Sequence, residues 1–263
     1  MVCIICKNPM VYYFSKTFTE FDLTNVDYYK CSNCGFVASK THSMMSVENW
    51  ESLNFKAHSY YNSIDNNPNN QPPPYMEQAL MLHIMRKHEI IPSENWLDWG
   101  SGEAKLAKIL YHWFDQKLTC FDKYIEPEIN PLRGGVPSGF KYDVIINSAV
   151  FEHVTVRATL DEINDCVSEK GVLAIHTLVR EEIPSDKDWF YLLPVHCSFH
   201  TNKSMDILFK EWGYKSSTYC PNAKMWMFFK FKKGQIADKV NDINKMIGFK
   251  YLFLKDGFMD YWK

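Results

Sequence analysis

The sequence predicts an α/β protein in which a small cysteine-rich module precedes a larger domain of alternating strands and helices. Two CxxC pairs lie within the first 34 residues, and a glycine turn between a short strand and a helix lies near residue 100. Downstream, short apolar runs that suit buried strands alternate with segments of helical spacing. This alternation is typical of a doubly wound sheet whose ligands bind at the carboxyl ends of the strands.

Composition and charge exclude several broad classes. With 263 residues, 46% of them hydrophobic and 16% aromatic, the chain can bury a sizeable core, which excludes general disorder. A net charge of −2 argues against a broad electrostatic grip on nucleic acid, because phosphate binding needs a basic surface. The sequence has neither a secretory segment nor an apolar run of about eighteen residues, the length of a membrane helix. We therefore expect a cytoplasmic protein with no stable membrane insertion.

The N-terminal cysteines are spaced like the ligands of a metal ion. The two pairs are Cys3 with Cys6 and Cys31 with Cys34. Zinc takes four tetrahedral ligands, and each CxxC turn supplies two thiolates. The intervening residues are rich in β-branched and aromatic types, which predicts one or two short strands and hence a zinc ribbon. With all four positions filled, the zinc would be structural. His42 is an alternative ligand that the pattern does not require.

An Asn- and Pro-rich segment separates the two parts of the chain. Residues 61–74 contain five Asn and four Pro, which cannot propagate a helix or a central strand. The segment is either a passive linker or a lid, and Tyr61 at its start is a candidate ligand contact. The expected domains are a zinc ribbon over 1–45, a connecting segment and loop over 46–75, a ligand-binding domain over 76–234, and a helical and aromatic extension over 235–263. We expect the extension to pack on the protein rather than touch a membrane surface.

The glycine turn has the form of a nucleotide-binding turn. A helix is predicted over Tyr75–His88, a strand over Trp96–Trp99 and a second helix over Glu103–Trp113. Between the last two, Gly100, Ser101 and Gly102 let the backbone approach a ligand at a helix N-terminus. A lone GxG is a weak signal, since glycines serve many turns, and the full G-x-G-x-x-G fingerprint is absent.

A carboxylate after the next strand makes the pattern more specific. Lys117–Phe121 is predicted to be a strand, and Asp122 follows it, 20 residues after Gly102. A carboxylate at that place can accept hydrogen bonds from both hydroxyls of a ribose. The remaining expected elements are strands at Tyr142–Ala149 and Gly171–Thr177, helices at Leu160–Ser168 and Ser204–Trp212, and a hairpin of Tyr214–Cys220 with Lys224–Lys232.

From about residue 96 to 232, the sequence resembles class I S-adenosylmethionine-dependent methyltransferases, which have a Rossmann-like sheet. The matching pieces are LDWGSGEAKLA, FDK, YDVIINSAVFEHV and SEKGVLAIHT. With the ribbon and the loop in front, the arrangement is similar to zinc-ribbon sugar methyltransferases of surface-polysaccharide and deoxysugar pathways. The piece VHCSFHTNKSMDILFKEWGY resembles that group's segment after the fifth strand. Two departures are the short spacing from Asp122 to Asp143 and the lack of room for the further C-terminal domain of sugar C-methyltransferases, which favours O-methyl transfer.

The resemblance implies roles for individual residues. S-adenosylmethionine would be the cofactor, beside a structural Zn²⁺. The glycine turn would pass close to its methionine part, Asp98 would orient the turn or reach the amino group, and Asp122 would hold the ribose. Asn147 and Ser148 would lie beside the methionine and the reacting centre.

A hydroxyl acceptor needs a base, and three histidines are candidates for it. Histidine suits the task because its pKa lies near the operating pH. The candidates are His200, His196 and His153, of which His196 matches the His of the resembling group and His153 follows Glu152 in a pair that occurs with many acceptors.

The expected reaction is O-methylation of a small-molecule acceptor, such as a nucleotide sugar or glycan precursor of a capsule or surface-polysaccharide pathway. No nucleic-acid partner is expected. The alternative is a zinc-ribbon ribosomal RNA methyltransferase, which is disfavoured by the net charge and by the lack of Arg in the first 40 residues. Two further alternatives are a non-catalytic module that retains the fold and a nicotinamide-dependent dehydrogenase.

Overall fold

The computed structural model describes residues 1–62, 73–123 and 139–263. In chain order, the strands are β1 Met10–Thr17, β2 Asn25–Cys31, β3 Val37–Ser39, β4 Trp96–Trp99, β5 Thr119–Phe121, β6 Tyr142–Ser148, β7 Val167–His176, β8 Val179–Arg180, β9 Ser198–Thr201, β10 Ser216–Cys220, β11 Met225–Phe229 and β12 Phe253–Lys255. The α-helices are α1 Lys40–Ser43, α2 Val47–Asn62, α3 Tyr75–Lys87, α4 Lys105–Phe114, α5 Arg157–Asp165, α6 Asn202–Glu211 and α7 Ala237–Ile247. Within these three ranges, no helix is long and apolar enough to cross a membrane.

The chain forms two compact units, and each draws on three segments. The first unit contains Met1–Pro72, Phe151–Leu160 and Leu178–Leu208. The second contains Pro73–Val150, Asp161–Thr177 and Phe209–Lys263. The sequential domain boundaries expected from the sequence remain a prediction, because compact units and sequential domains are different divisions of the chain.

The first unit is built on a five-stranded sheet with the order β1-β2-β3-β9-β8. β1 and β2 form an antiparallel pair between the two CxxC turns, as the aromatic and β-branched spacer predicts. β3 pairs antiparallel with both β2 and β9, and β9 runs parallel to β8. The sheet buries a core that includes Phe14, Val26, Tyr28, Val37 and Phe199.

A helix occupies most of the segment that was expected to be a connection. α2 begins after Ser46, whose hydroxyl accepts a hydrogen bond from the Asn49 amide at 3.2 Å, while its carbonyl accepts one from the Trp50 amide at 3.0 Å. Leu53 and Ala57 bury the helix against the core of the first unit. Ser46 is thus an N-cap, the sequence signal for this helix. Most of the Asn- and Pro-rich segment that follows lies outside the described residues, and with it the choice between linker and lid.

The second unit is built on a seven-stranded sheet with the order β12-β10-β11-β7-β6-β4-β5. The strands β5, β4, β6 and β7 are parallel to one another. On the far side of β7, β11 pairs antiparallel with β7, β10 with β11, and β12 with β10. This confirms the expected mixed α/β sheet and its terminal hairpin. The stretch between Asp122 and Asp143 falls largely within 124–138, outside the described residues.

Several element boundaries differ from the sequence expectation, most clearly those of α5 and β7. The helix expected over Leu160–Ser168 is α5, which begins at Arg157 and ends at Asp165. The strand expected from Gly171 begins at Val167, because Val167 pairs with Tyr142 while Val172 pairs with Val144. The residues between these two pairs form an irregularity in β7, which explains why they look like a loop in the sequence.

The aromatic C-terminal segment packs on the antiparallel part of the second sheet. Phe258 is fully buried, with its ring centroid 4.8 Å from that of Trp226 and 5.5 Å from that of Phe228. The Tyr261 hydroxyl donates a hydrogen bond to the Ser217 carbonyl at 2.8 Å. These contacts support the interpretation of this segment as a packing element.

Candidate functional site

The glycine turn after β4 is shaped by two residues with positive φ. Gly100 has a φ of +80°, and a Cβ on it would lie 2.4 Å from Cγ2 of Val150, so only glycine fits. Its amide donates a hydrogen bond to the Phe121 carbonyl at 2.7 Å. Gly102 has a φ of +53°, and a Cβ there would meet no described atom within 4 Å. The turn therefore packs tightly at Gly100 and has open space at Gly102.

Two buried carboxyl groups flank this turn. Oδ2 of Asp122 accepts a hydrogen bond from the Gly102 amide at 2.7 Å, which ties the end of β5 to the turn. Asp98, in β4, is 2% exposed. Burial raises the pKa of Asp98 to about 7, and the charge of Asp122 adds to the shift. A cationic ligand near the pair would favour the ionised form of Asp98.

Polar atoms without partners lie at the carboxyl ends of β4 and β6. The Asn147 side-chain amide donates to the Trp99 carbonyl at 3.1 Å, but its Oδ1 is buried and has no hydrogen-bond partner among the described residues. The indole Nε1 of Trp99 is also buried and has no hydrogen-bond partner among the described residues. Buried polar atoms are almost always paired, so these two fit a bound ligand with both a donor and an acceptor.

A residue that sequence reasoning missed contacts this edge. Ser148 donates a hydrogen bond to Oε1 of Gln78 at 3.0 Å, and Gln78 is fully buried in α3. The available signal was a polar residue at a core-facing position of a helix whose neighbours Ala79, Met81 and Leu82 are apolar. Gln78 is therefore a third buried polar residue of the second unit, after Asn147 and Ser148, and it contacts the end of β6 through Ser148.

The four N-terminal cysteines converge in the first unit. The Sγ atoms are 3.7 Å apart for Cys3 and Cys34, 3.4 Å for Cys6 and Cys31, and 3.6 Å for Cys6 and Cys34. A tetrahedral zinc with Zn–S bonds of about 2.3 Å places its sulfur ligands about 3.8 Å apart. The spacing of the thiols is thus compatible with a zinc ion.

The thiols of Cys3 and Cys34 shift each other's ionisation in opposite directions. The hydrogen bond with Cys34 lowers the pKa of Cys3 to about 5, an effect that burial opposes. The same bond, together with burial, raises the pKa of Cys34. His42 is not part of this group, because its ring bonds to the Ser39 hydroxyl at 2.7 Å and to the Pro194 carbonyl at 2.8 Å.

Two of the three candidate bases lie together in the first unit. His153 and His196 have ring centroids 5.0 Å apart, and with Glu152 they offer ligand atoms within 4.8 Å of one another. Tyr191, a residue that no sequence pattern singled out, binds both Glu152 and His196. Its hydroxyl donates to Glu152 Oε1 at 2.7 Å, and its carbonyl accepts from His196 Nδ1 at 2.7 Å.

Burial keeps these imidazole rings neutral. It lowers the pKa of His196 to about 4, against the opposing effect of the bond to the Tyr191 carbonyl. Burial also lowers the pKa of His153 well below its ordinary value, with a further contribution from the His196 ring. Both rings are therefore unprotonated near pH 7 and can accept a proton or bind a cation.

His200 and Tyr61 are placed differently. His200 is 1% exposed in β9, with its ring 5.0 Å from that of Phe36 and 5.6 Å from that of Phe151, and burial lowers its pKa to about 4. It does not belong to the cluster of Glu152 with the other two histidines. The ring of Tyr61 lies 6.1 Å from that of Phe21, and burial raises its pKa to about 12. Their catalytic and cofactor-binding roles remain predictions.

Comparisons with known proteins found one matching family and several similar solved structures. The methyltransferase-domain family matches residues 75–218. Among solved structures, the chain is similar to the plantazolicin methyltransferase BpumL in complex with SAH, with 12% identity, coverage of 70% of this chain and 97% of that one, and a TM-score of 0.46. It is also similar to Streptomyces venezuelae DesVI, with 12% identity, coverage of 60% and 93%, and a TM-score of 0.46.

A third similar structure is CalS10 from Micromonospora echinaspora, an amino pentose methyltransferase involved in calicheamicin biosynthesis, with SAM bound. It has 10% identity, coverage of 60% of this chain and 92% of that one, and a TM-score of 0.42. No curated protein matches the sequence.

The burial of His200 predicts a pH dependence of stability. Its folded pKa of about 4 lies below the ordinary value of 6.5, so the unfolded chain binds more protons between these values. The free energy of unfolding therefore falls as the pH falls through this window, by about 2 kcal/mol between pH 7 and pH 5 for this ring alone. His200→Leu should lose about 2 kcal/mol less than the wild type over the same pH range in urea unfolding.

The exposed His112 supplies the control, since His112→Leu should keep the pH dependence of the wild type. Contributions from other groups, including the opposite one from Asp98, cancel in the comparison. Identical pH dependence of His200→Leu and the wild type would show that the ring is not buried as described.

Proposed function

Since the chain belongs to the methyltransferase-domain family, we propose that it is an enzyme that O-methylates a sugar or another small polar acceptor of a capsule or surface-polysaccharide pathway. It is an S-adenosylmethionine-dependent methyltransferase. The observation that supports the donor site most directly is the bond from the Gly102 amide to Asp122, which holds an acidic side chain at the glycine turn. The proposal for the acceptor rests on the ribbon, loop and methyltransferase arrangement of the sequence.

The second unit supplies the residues for the donor. In this proposal, the turn at Gly100, Ser101 and Gly102 passes the methionine part, and Asp122 binds the ribose. Asp98 orients the turn or meets the amino group, which as a cation would favour the ionised carboxyl. The orphaned Oδ1 of Asn147 is an acceptor that the donor's ammonium group can satisfy. Ser148 and Tyr61 complete the proposed contacts.

Methyl transfer is an in-line displacement at a carbon that the sulfonium already activates. The enzyme therefore aligns the acceptor and removes its proton. His153, His196 and His200 are the proposed bases, all neutral near pH 7 and hence able to accept that proton. The low pKa values of His196 and His200 reduce the driving force for proton uptake, because a base works best with a pKa near the operating pH.

We propose a structural zinc ion at Cys3, Cys6, Cys31 and Cys34. The sulfur–sulfur distances support it, and four protein ligands leave no position for a substrate. β2 ends at Cys31, so an ion there would fix the end of a strand that pairs with both β1 and β3.

The donor assignment predicts that Asp122 controls cofactor affinity. Asp122→Asn keeps an oxygen for the Gly102 amide but loses the charge, and it should weaken S-adenosylmethionine binding about 10- to 100-fold, as expected for a charged hydrogen bond. Asp122→Ala should abolish detectable binding. Isothermal titration calorimetry measures both, with Glu94→Gln, at an exposed position, as the control. Unchanged affinity in the two Asp122 variants would contradict the assignment.

The acceptor assignment is tested by a screen. Incubation with S-adenosylmethionine and a panel of nucleotide sugars and glycan precursors should yield a product heavier by one methyl group in mass spectrometry. Ribosomal RNA in the same panel tests the alternative function, that of a zinc-ribbon ribosomal RNA methyltransferase. With the acceptor found, loss of the base should slow turnover about 10²- to 10⁴-fold at unchanged donor affinity. If variants of all three histidines keep full turnover, the base lies elsewhere.

The zinc proposal predicts that Cys34→Ser lowers the zinc content by one equivalent. Its free energy of unfolding should fall by about 2–5 kcal/mol, as for the loss of a disulfide in a small domain. Mass spectrometric metal analysis and urea unfolding measure the two effects. Cys166→Ala, at a buried cysteine outside the group, should retain the zinc. A Cys34→Ser protein of wild-type stability that has lost only its methyl transfer would contradict a structural role.

A further inference from the structure

We propose that Glu152, His153 and His196 form a second metal site, which binds a divalent transition-metal ion. Their ligand atoms lie within 4.8 Å of one another. All three residues belong to the first unit, as do the cysteines, but none of the four cysteines takes part. The site is therefore distinct from the proposed zinc ribbon.

The hydrogen bonds of the two rings leave lone pairs for a cation. A neutral imidazole has one N–H, and a carbonyl oxygen can only accept. Nδ1 of His196 donates to the Tyr191 carbonyl, so its Nε2 carries the lone pair. The His153 ring forms a hydrogen bond to the Val195 backbone, and its buried Nδ1 has no partner among the described residues. Each ring thus commits its proton to the main chain and offers a nitrogen lone pair.

The third group of the cluster is also an acceptor. The Glu152 carboxylate accepts a hydrogen bond from the Tyr191 hydroxyl at 2.7 Å. The buried Nδ1 of His153 has no hydrogen-bond partner among the described residues, and a buried acceptor without a donor is costly. A cation bound by all three removes that cost.

The groups that hold the two rings are arranged as they are around the histidine ligands of metal sites. Histidine ligands usually donate their second ring nitrogen to a carbonyl or carboxylate, which fixes the tautomer and the ring orientation. Both rings do so here. The two segments that carry the ligands are also tied together, because the Cys197 amide donates to the Glu152 carbonyl at 2.8 Å and the Ser198 hydroxyl to the Val154 carbonyl at 2.6 Å. The ligands are therefore positioned before an ion arrives.

Two histidines and one carboxylate select the class of ion. This set suits Fe²⁺, Mn²⁺, Co²⁺, Ni²⁺ or Zn²⁺ rather than Mg²⁺ or Ca²⁺, and it leaves coordination positions open. The consequence for catalysis rests on the proposed function: an acceptor hydroxyl bound to the ion would release its proton to solvent water more easily. The oxygen would then take the methyl group from the sulfonium, whose sulfur keeps the electron pair of the broken C–S bond and leaves as a neutral thioether. In that case His153 and His196 act as ligands, and the ion replaces them as the group that activates the acceptor.

The test counts metal ions on the full chain. When the full chain is expressed with Co²⁺ in place of zinc and freed of unbound metal, mass spectrometric analysis should find two equivalents of cobalt per chain. Cobalt at the cysteines produces thiolate charge-transfer absorption, whereas the second equivalent should add only weak d–d bands. Glu152→Gln, which preserves an acceptor for Tyr191, should lose the second equivalent and keep the charge-transfer absorption, as should His196→Gln. Cys34→Ser should lose the charge-transfer absorption and keep the cobalt at the second site. His112→Gln, at an exposed position, should bind both equivalents.

Two results would overturn the proposal. One is a wild-type protein that binds a single equivalent at every cobalt concentration tested. The other is a second equivalent that persists in both the Glu152 and the His196 variants. Circular dichroism establishes that the variants are folded. Calorimetric binding of S-adenosylmethionine to the same variants separates this question from the proposed function, because the donor contacts are different residues.

Discussion

The architecture of the proposed donor site depends on the absence of a side chain at Gly100. Its positive φ turns the chain after β4, and the place where a Cβ would lie is taken by a methyl group of Val150. Its amide bonds to the Phe121 carbonyl at the end of β5. This one position thereby joins the end of β4 to the end of β5 and packs against Val150, two residues beyond the end of β6.

The electrostatic character of that edge follows from burial. Asp98 and Asp122 are both largely shielded from water, and Asn147 adds an amide oxygen that no described donor satisfies. Desolvating so many acceptors costs free energy, and the raised pKa of Asp98 is one expression of that cost. A cationic ligand bound at this edge would recover part of that cost.

Much of the fold was predictable from the sequence because its signals are local. The glycine turn, the apolar runs of β6 and β7 and the two CxxC pairs are short patterns with strong conformational or chemical meaning. The helix α2 was not anticipated, since its core-facing positions include the polar Asn54 and its clearest mark is the single cap at Ser46.

The parts that sequence reasoning missed depend on contacts between distant residues. Tyr191 matters through a hydrogen bond to Glu152, 39 positions away, and Gln78 through one to Ser148, 70 positions away. The placement of Leu178–Leu208 in the first unit follows from the pairing of β9 with β3, where Phe199 lies opposite Val37. No local pattern encodes such pairings, so only the folded chain reveals them. The residues proposed for the donor and those of the histidine cluster fall in different units, because the second unit breaks off at Val150 and the first resumes at Phe151. Asn147 and Ser148 precede this boundary, and Glu152 and His153 follow it.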